Sequence, residues 1–145
     1  MTGIVVDASV ALAWCFPDEA NDYADEVLLA LEEQPILVPS VWPLEVTNAV
    51  AVAERRKRIS QPEVHRFIEL LEALTIHQDS LPVADAVSNI LPLAREYGLS
   101  SYDASYLEVA IRRGAPLATL DTRLKSASRK AGIELLLDRS AKRKR

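Results

Sequence analysis

The chain has 145 residues, 49% hydrophobic and 26% charged, with a formal net charge of -4. That length suits one domain with a core of its own, and no apolar run approaches the ~18 residues of a membrane span. Cys15, the single cysteine, excludes an internal disulfide and fits a reduced, cytoplasmic setting, while the lack of Lys or Arg near Met1 argues against a secretory signal.

Residues 3–6 (GIVV) read as a short buried strand with Asp7 at its C-terminal end. Residues 9–16 read as a short helix that Pro17 ends. Residues 20–33 place Ala24, Val27, Leu28 and Leu31 at helical spacing, up to Pro35. Residues 36–38 (ILV) make a second strand. Ser40 is then the expected cap of a helix that tolerates Pro43 in its first turn and runs to about Arg56. Residues 61–75 carry Val64, Phe67, Ile68, Leu71 and Leu74 on one helical face. Residues 83–97 read as a helix kinked or broken at Pro92. Ser100 or Ser101 caps a helix that reaches Arg113 and ends at Gly114. Residues 116–120 make a strand ended by Asp121, residues 122–131 a last helix, and residues 133–137 an edge strand. Short apolar strands alternating with helices define an α/β class with a mostly parallel sheet. Residues 1–138 are expected to form a single domain, and residues 139–145 a disordered basic tail.

Charge is distributed unevenly. Residues 1–54 hold ten Asp or Glu and no Lys or Arg; residues 55–145 hold seventeen Lys or Arg and eleven Asp or Glu. Such asymmetry suits nucleic-acid attraction around an acidic centre, or simply an uneven solvated surface. The more specific signal is four isolated acids. Asp7 is the sole charge in residues 1–17, and Glu45 the sole charge in residues 41–53. Asp103 stands alone in YGLSSYDASYL, and Asp121 closes the uncharged run GAPLATL. A carboxylate beside a core needs a partner, because desolvating it costs several kcal/mol or more. No Lys or Arg adjoins any of the four, so a cation from outside is the economical partner.

Each acid also has a plainer reading. Asp7 and Asp121 stand where helix caps stand, Asp103 follows Ser100 at capping-box spacing, and Glu45 could lie on the surface of an unusually apolar helix. Glu45 nevertheless shares its face with Val41, Ala49 and Val52, and Asn48 lies one turn on. Two strand ends and two helices that pack over them make convergence the stronger reading. Two unit charges ~4 Å apart at an effective dielectric of 20 repel by about 4 kcal/mol. That is roughly three pKa units, so clustered acids would hold protons at neutral pH unless a cation replaced them. All-oxygen donors select hard ions, Mg²⁺ or Mn²⁺, which favour sites that also take phosphate.

The segments VVDASVALAW, PLEVTNAV, SSYDASYLEVA and PLATLDTRL together resemble the PIN-domain family, and within it the VapC-type toxins of bacterial toxin–antitoxin modules. The resemblance covers the chain apart from its basic tail. It implies a three-layer α/β/α sandwich around a mostly parallel sheet. It also implies a metal-dependent endoribonuclease in which Asp7, Glu45, Asp103 and Asp121 hold Mg²⁺ or Mn²⁺, with Ser9, Asn48 and Thr119 supporting them. The implied partners are RNA, a VapB-type antitoxin and a second copy of the chain, with no membrane. Alternatives are a housekeeping PIN nuclease in RNA maturation, a non-catalytic RNA- or antitoxin-binding module, and a Mg²⁺-dependent phospho-acceptor. The last needs a lysine at a later strand end, which PLATLDT lacks.

Other features read as structural. Arg55–Arg58, Arg112–Arg113 and the basic residues of 123–130 suit solvated helix ends or phosphate contacts. His65 and His77 have no ligand partner nearby, Cys15 reads as a packed thiol, and Trp14 and Trp42 as core or dimer contacts.

Overall fold

The computed structural model describes residues 3–138. Four strands, β1 (Ile4–Val6), β2 (Ile36–Pro39), β3 (Ile76–Asp79) and β4 (Leu117–Ala118), form an all-parallel sheet in the order β3-β2-β1-β4. Among the described residues seven α-helices flank it: α1 (Ala8–Cys15), α2 (Asp22–Ala30), α3 (Trp42–Arg55), α4 (Gln61–Ala73), α5 (Val83–Tyr97), α6 (Ser101–Arg113) and α7 (Thr122–Lys130). None is long and apolar enough to cross a membrane.

Handedness sets the layers. The chain steps from β1 to β2 to β3 in one direction, so right-handed crossovers put α1–α4 on one face. It then returns past β1 to β4, so α5 and α6 take the other face. Contacts agree: α1 packs on α2, α3 and α4, whereas α6 packs on β1, β2, α5 and α7. This is the expected α/β/α sandwich. Strands β1, β2 and β4 are buried along their whole length, as central parallel strands require. Helix α6 is buried continuously from Ala104 to Ala110, which makes it the core helix of its layer.

Several predicted elements shift. Strand β3 is absent from the sequence reading because Ile76-His77-Gln78-Asp79 has no apolar run. As an edge strand it is held by backbone pairing with β2 over four registers, and its two middle side chains, His77 and Gln78, are exposed. Ser40 is not the cap of α3; Val41 takes that position without a side-chain bond. Helix α5 runs unbroken through Pro92, whose missing N–H leaves only the carbonyl of exposed Ser88 to solvent. Strand β4 stops at Ala118 because Thr119 and Leu120 turn to bond residues after β1. Residues 133–137 supply a single parallel bridge, Leu135 to Leu117, and Leu137 leaves it at a φ of 56°. Ser100 caps α6 and left-handed Gly114 ends it, as expected. The expected tail, residues 139–145, lies outside the described residues.

The one tight glycine is Gly3. Its φ is +94°, and a Cβ there would meet the Pro35 carbonyl oxygen at 2.8 Å. That carbonyl also accepts from Ile4 N–H at 3.0 Å, so it cannot retreat without losing the first rung of the sheet. Gly3→Ala is expected to cost about 2–3 kcal/mol, read as a lower urea midpoint with an unchanged slope.

Some of the basic residues left open by the sequence are paired among the described residues and others are not. Arg112 bonds Asp79 at 2.6 Å and Glu108 at 2.8 Å, and Arg113 bonds Asp79 at 2.9 Å. Arg58 pairs with Asp18 at 3.0 Å and lies over the Phe16 ring, and Arg129 pairs with Asp138. These four stitch the fold together, whereas Arg55, Arg56 and Lys57 stay on the surface. His65 pairs with Glu69 on an exposed face, and His77 is exposed on β3. Cys15 is free and buried, its thiol pushed up to about 11 by burial and by Glu63 and Glu19. Trp42 lies in the core; Trp14 is partly buried and donates to the Ala24 carbonyl.

Candidate active site

The topological switch point lies between β1 and β4. Their following segments lead to opposite helical layers and open a crevice at the C-terminal edge of the sheet, where α/β proteins place ligands. Asp7 follows β1 and Asp121 closes the turn after β4. Asp103 is in the first turn of α6 and Glu45 in the first turn of α3, so each helical layer sends one acid to the same edge.

Asp7 is 5% exposed. It occupies the N-cap position of α1 but makes no side-chain cap bond. The hydroxyls of Ser9 and Thr119 both donate to its Oδ2, each at 2.7 Å. Ser9 Oγ in turn accepts from Leu120 N–H at 3.0 Å, and Thr119 Oγ1 from Asp121 N–H at 3.0 Å. One buried oxygen thus ties the segments after β1 and β4 into a single network.

The other acids repeat the pattern. The Tyr106 hydroxyl, on buried α6, donates to Glu45 Oε1 and so joins the two helical layers across the sheet edge. Asp121 caps α7, its Oδ1 accepting from Arg123 N–H at 2.9 Å. Asp7, Glu45 and Asp121 therefore each have one carboxylate oxygen bonded by the protein. Among the described residues, the second oxygen of each has no hydrogen bond. The Ser100 hydroxyl caps Asp103 N–H at 3.1 Å and also favours the ionised Asp103 carboxylate.

Electrostatics shows that the four acids share one space. Burial pushes Asp7 above the ordinary carboxylate range, the charges of Asp103 and Asp121 add to this, and the Ser9 and Thr119 hydroxyls oppose it. Burial likewise raises Glu45, helped by Asp7 and Asp103 and opposed by Tyr106. Asp103 is raised by burial and then by Asp121, and is pulled back by Ser100 and Arg123. Burial and the charges of Asp7 and Glu45 raise the Tyr106 hydroxyl, which keeps it a proton donor.

A divalent cation fits this donor set. The donors are all oxygen, they repel one another, and protein hydrogen bonds aim Asp7, Glu45 and Asp121 while leaving one oxygen of each open. Among the described residues, no three His, Cys, Asp or Glu side chains close into a ready-made cage. Magnesium does not need one: it keeps several waters and binds through one or two carboxylates together with a phosphate.

Of the supporting residues expected from the sequence, Ser9 and Thr119 contact Asp7 directly. Asn48 lies exposed one turn beyond Glu45, and no hydrogen bond joins it to the acids among the described residues. The sequence reading missed Tyr106, although it falls one helical turn after Asp103 and so on the same side of α6. It also missed the influence of Arg123. No basic residue adjoins Asp103 in sequence, but the charge of Arg123 reaches it from the first turn of α7.

An acidic crevice at the switch point of a parallel sheet makes this an α/β protein equipped to hold a hard cation. The chain belongs to the PIN-domain family, whose model matches residues 4–130. It is 30% identical over 125 residues to Ribonuclease VapC3 of Pyrobaculum aerophilum, covering 83% of this chain and 91% of that protein. A crystal structure from Pyrobaculum aerophilum superposes with a TM-score of 0.64 at 26% identity, covering 86% of this chain and 78% of that one. The same fold occurs in FitAcB of Neisseria gonorrhoeae (TM-score 0.57, 19% identity, 91% and 95% covered). It also occurs in a toxin–antitoxin complex from Klebsiella pneumoniae (TM-score 0.56, 19% identity, 82% and 87% covered).

Proposed function

We propose that the chain is a metal-dependent endoribonuclease acting as the toxin of a toxin–antitoxin pair. The observation that carries this is the gathering of four carboxylates at the switch point, with the charges of Asp103 and Asp121 acting on Asp7 and those of Asp7 and Asp103 on Glu45, and with one oxygen bonded and one open in three of the four. The similarity to a protein named Ribonuclease VapC3 supplies the substrate class. In this reading Asp7, Glu45, Asp103 and Asp121 hold Mg²⁺ or Mn²⁺. The ion, when bound, supplies charge neutralisation and Lewis acidity for phosphodiester hydrolysis.

The protein's own part is positioning. Ser9 and Thr119 fix the Asp7 carboxylate, and Tyr106 fixes Glu45 while bridging the helical layers. Asp121 does double duty, since its cap on α7 orients both its own carboxylate and the Arg123 segment. Arg123, exposed beside the acids, offers a positive contact for the phosphate backbone of the substrate. Asn48 joins this group as a supporting residue only when substrate or metal draws it inward. Self-association is supported by Val83, Val87 and Leu91. They stand one turn apart on α5 at 82%, 57% and 42% exposure, an apolar stripe suited to a second copy. A VapB-type antitoxin is the proposed regulatory partner, residues 1–138 the catalytic domain, and the cytoplasm the compartment.

The test is direct. A mixed RNA pool incubated with the protein should be cut when Mg²⁺ or Mn²⁺ is added, and cutting should fall to background with excess chelator. Cleavage that persists at full rate in chelator, after the protein has been dialysed metal-free, would falsify the reading.

A further inference from the structure

Beside the acids lies a second feature that the chemistry above does not use. Pro39 and Asp79, at the C-terminal ends of β2 and β3, meet α5 and the start of α6 around a cleft of about 200 Å³. Ala86 and Ile90 line it from α5, Ser101, Tyr102 and Ser105 from α6, and Ser40 from the turn before α3. The cleft and the acids draw on the same two helix starts: Tyr102, in its wall, precedes Asp103 in the first turn of α6, and Val41, also in its wall, lies one turn before Glu45. It is smaller than the roughly 300–1,000 Å³ of pockets for drug-sized ligands.

Its lining is mixed in a particular way. Tyr102 is 57% exposed, an unusual position for a large aromatic ring so close to a buried helix. Ala86 and Ile90 offer aliphatic surface, and the exposed Ser40 and Ser101 offer hydroxyls. The acids in the wall, Asp79 and Glu108, are taken up by Arg112 and Arg113, so they present no free charge to repel a nucleotide. A flat ring with polar edges suits such a lining, with its face on an aromatic or aliphatic side chain and its edge on hydroxyls.

We infer that this cleft receives one base of the RNA next to the scissile phosphate, with Tyr102 as the stacking residue that sets substrate position. The inference rests on the ribonuclease reading and deepens it, by locating where the protein senses sequence beside the cut. Tyr102 is a positioning residue: it acts on how RNA is held, not on the bond that breaks.

The experiment uses an RNA oligonucleotide containing a mapped cut, intact or abasic at each flanking position in turn. Wild type, Tyr102→Ala and Tyr102→Phe are compared for KM and kcat. Loss of one stacked base should raise KM about 5- to 100-fold for wild type at a single abasic position. Tyr102→Ala should show a similar rise on intact RNA, with kcat within about twofold. On the abasic RNA it should lose no more, while Tyr102→Phe should behave as wild type. Unchanged KM in Tyr102→Ala would overturn the inference, and so would abasic and Tyr102→Ala penalties that multiply in full. A shift of Tyr102→Ala in sedimentation equilibrium would also overturn it, showing that the ring is a contact with a second copy. Wild type that neither binds nor cuts the intact RNA would instead sink the ribonuclease reading, which separates the two failures.

Discussion

Asp7→Asn is expected to eliminate RNA cleavage and, in metal-free buffer at neutral pH, to make the protein more stable than wild type. Asparagine keeps an oxygen to accept from Ser9 and Thr119, so the network between the segments after β1 and β4 survives. What disappears is a buried negative charge that Asp103 and Asp121 already repel. The activity loss should be roughly 10³-fold or more, because a lost metal ligand costs more than the 10- to 100-fold typical of its supporting residues. The gain in stability should be about 1–3 kcal/mol, or several degrees in Tm.

The sign can be followed with pH. The native pKa of Asp7 is raised, so its favourable contribution is full below the reference value of 3.8 and is lost as pH rises through the native value. Wild type thus bears the cost at neutral pH and not in acid. The advantage of Asp7→Asn should therefore shrink as pH falls towards 3.8. It should also shrink when Mg²⁺ is added, since only wild type gains by binding it. Calorimetry with and without chelator at three pH values measures both effects. A variant less stable than wild type at neutral pH in chelator would contradict the account of a charge held at a cost. Growth arrest by folded Asp7→Asn protein would contradict the proposed role.

The second large effect is expected in an ion-pair network rather than at the four acids. Arg112 fills the space between two nearly buried carboxylates, Glu108 and Asp79, whose side chains are only 6% and 7% exposed. Arg112→Leu leaves Asp79 with Arg113 but leaves Glu108 with only Asn89, whose amide stands 3.4 Å away. Stranding a buried charge in this way costs about 3–5 kcal/mol. Urea denaturation should show the drop. Glu108→Gln added to Arg112→Leu should recover a substantial part of it, because the orphaned charge is then gone. A double variant no better than the single would assign the loss to packing of the long arginine stem rather than to the ion pair.

Much of the fold could be read from the chain because its strongest signals are local. Three buried strands are apolar runs, and α6 announces itself by Ser100 in front and Gly114 behind. Strand β3 could not be read, because an edge strand is defined by the neighbour it pairs with and not by its own side chains. The isolated acids pointed to the crevice for a sound reason, that charge in apolar sequence must be answered by something. Single-residue readings of them were less secure. The cap reading holds for Asp121 and fails for Asp7, although both follow a strand and precede a helix. At Asp7 the hydroxyls of Ser9 and Thr119 take the carboxylate oxygen in place of a helix-end N–H. Tyr106 and Arg123 went unread because each acts on a residue that only folding brings near.

The bond between Thr119 and Asp7 spans 112 residues. A nascent chain emerging from the ribosome can build β1, β2 and most of the helices long before its crevice exists. The last of the four acids, Asp121, comes after six of the seven described α-helices. A product that stops before Asp121 lacks one of the four acids. Whatever the crevice does is therefore absent until the chain has passed β4.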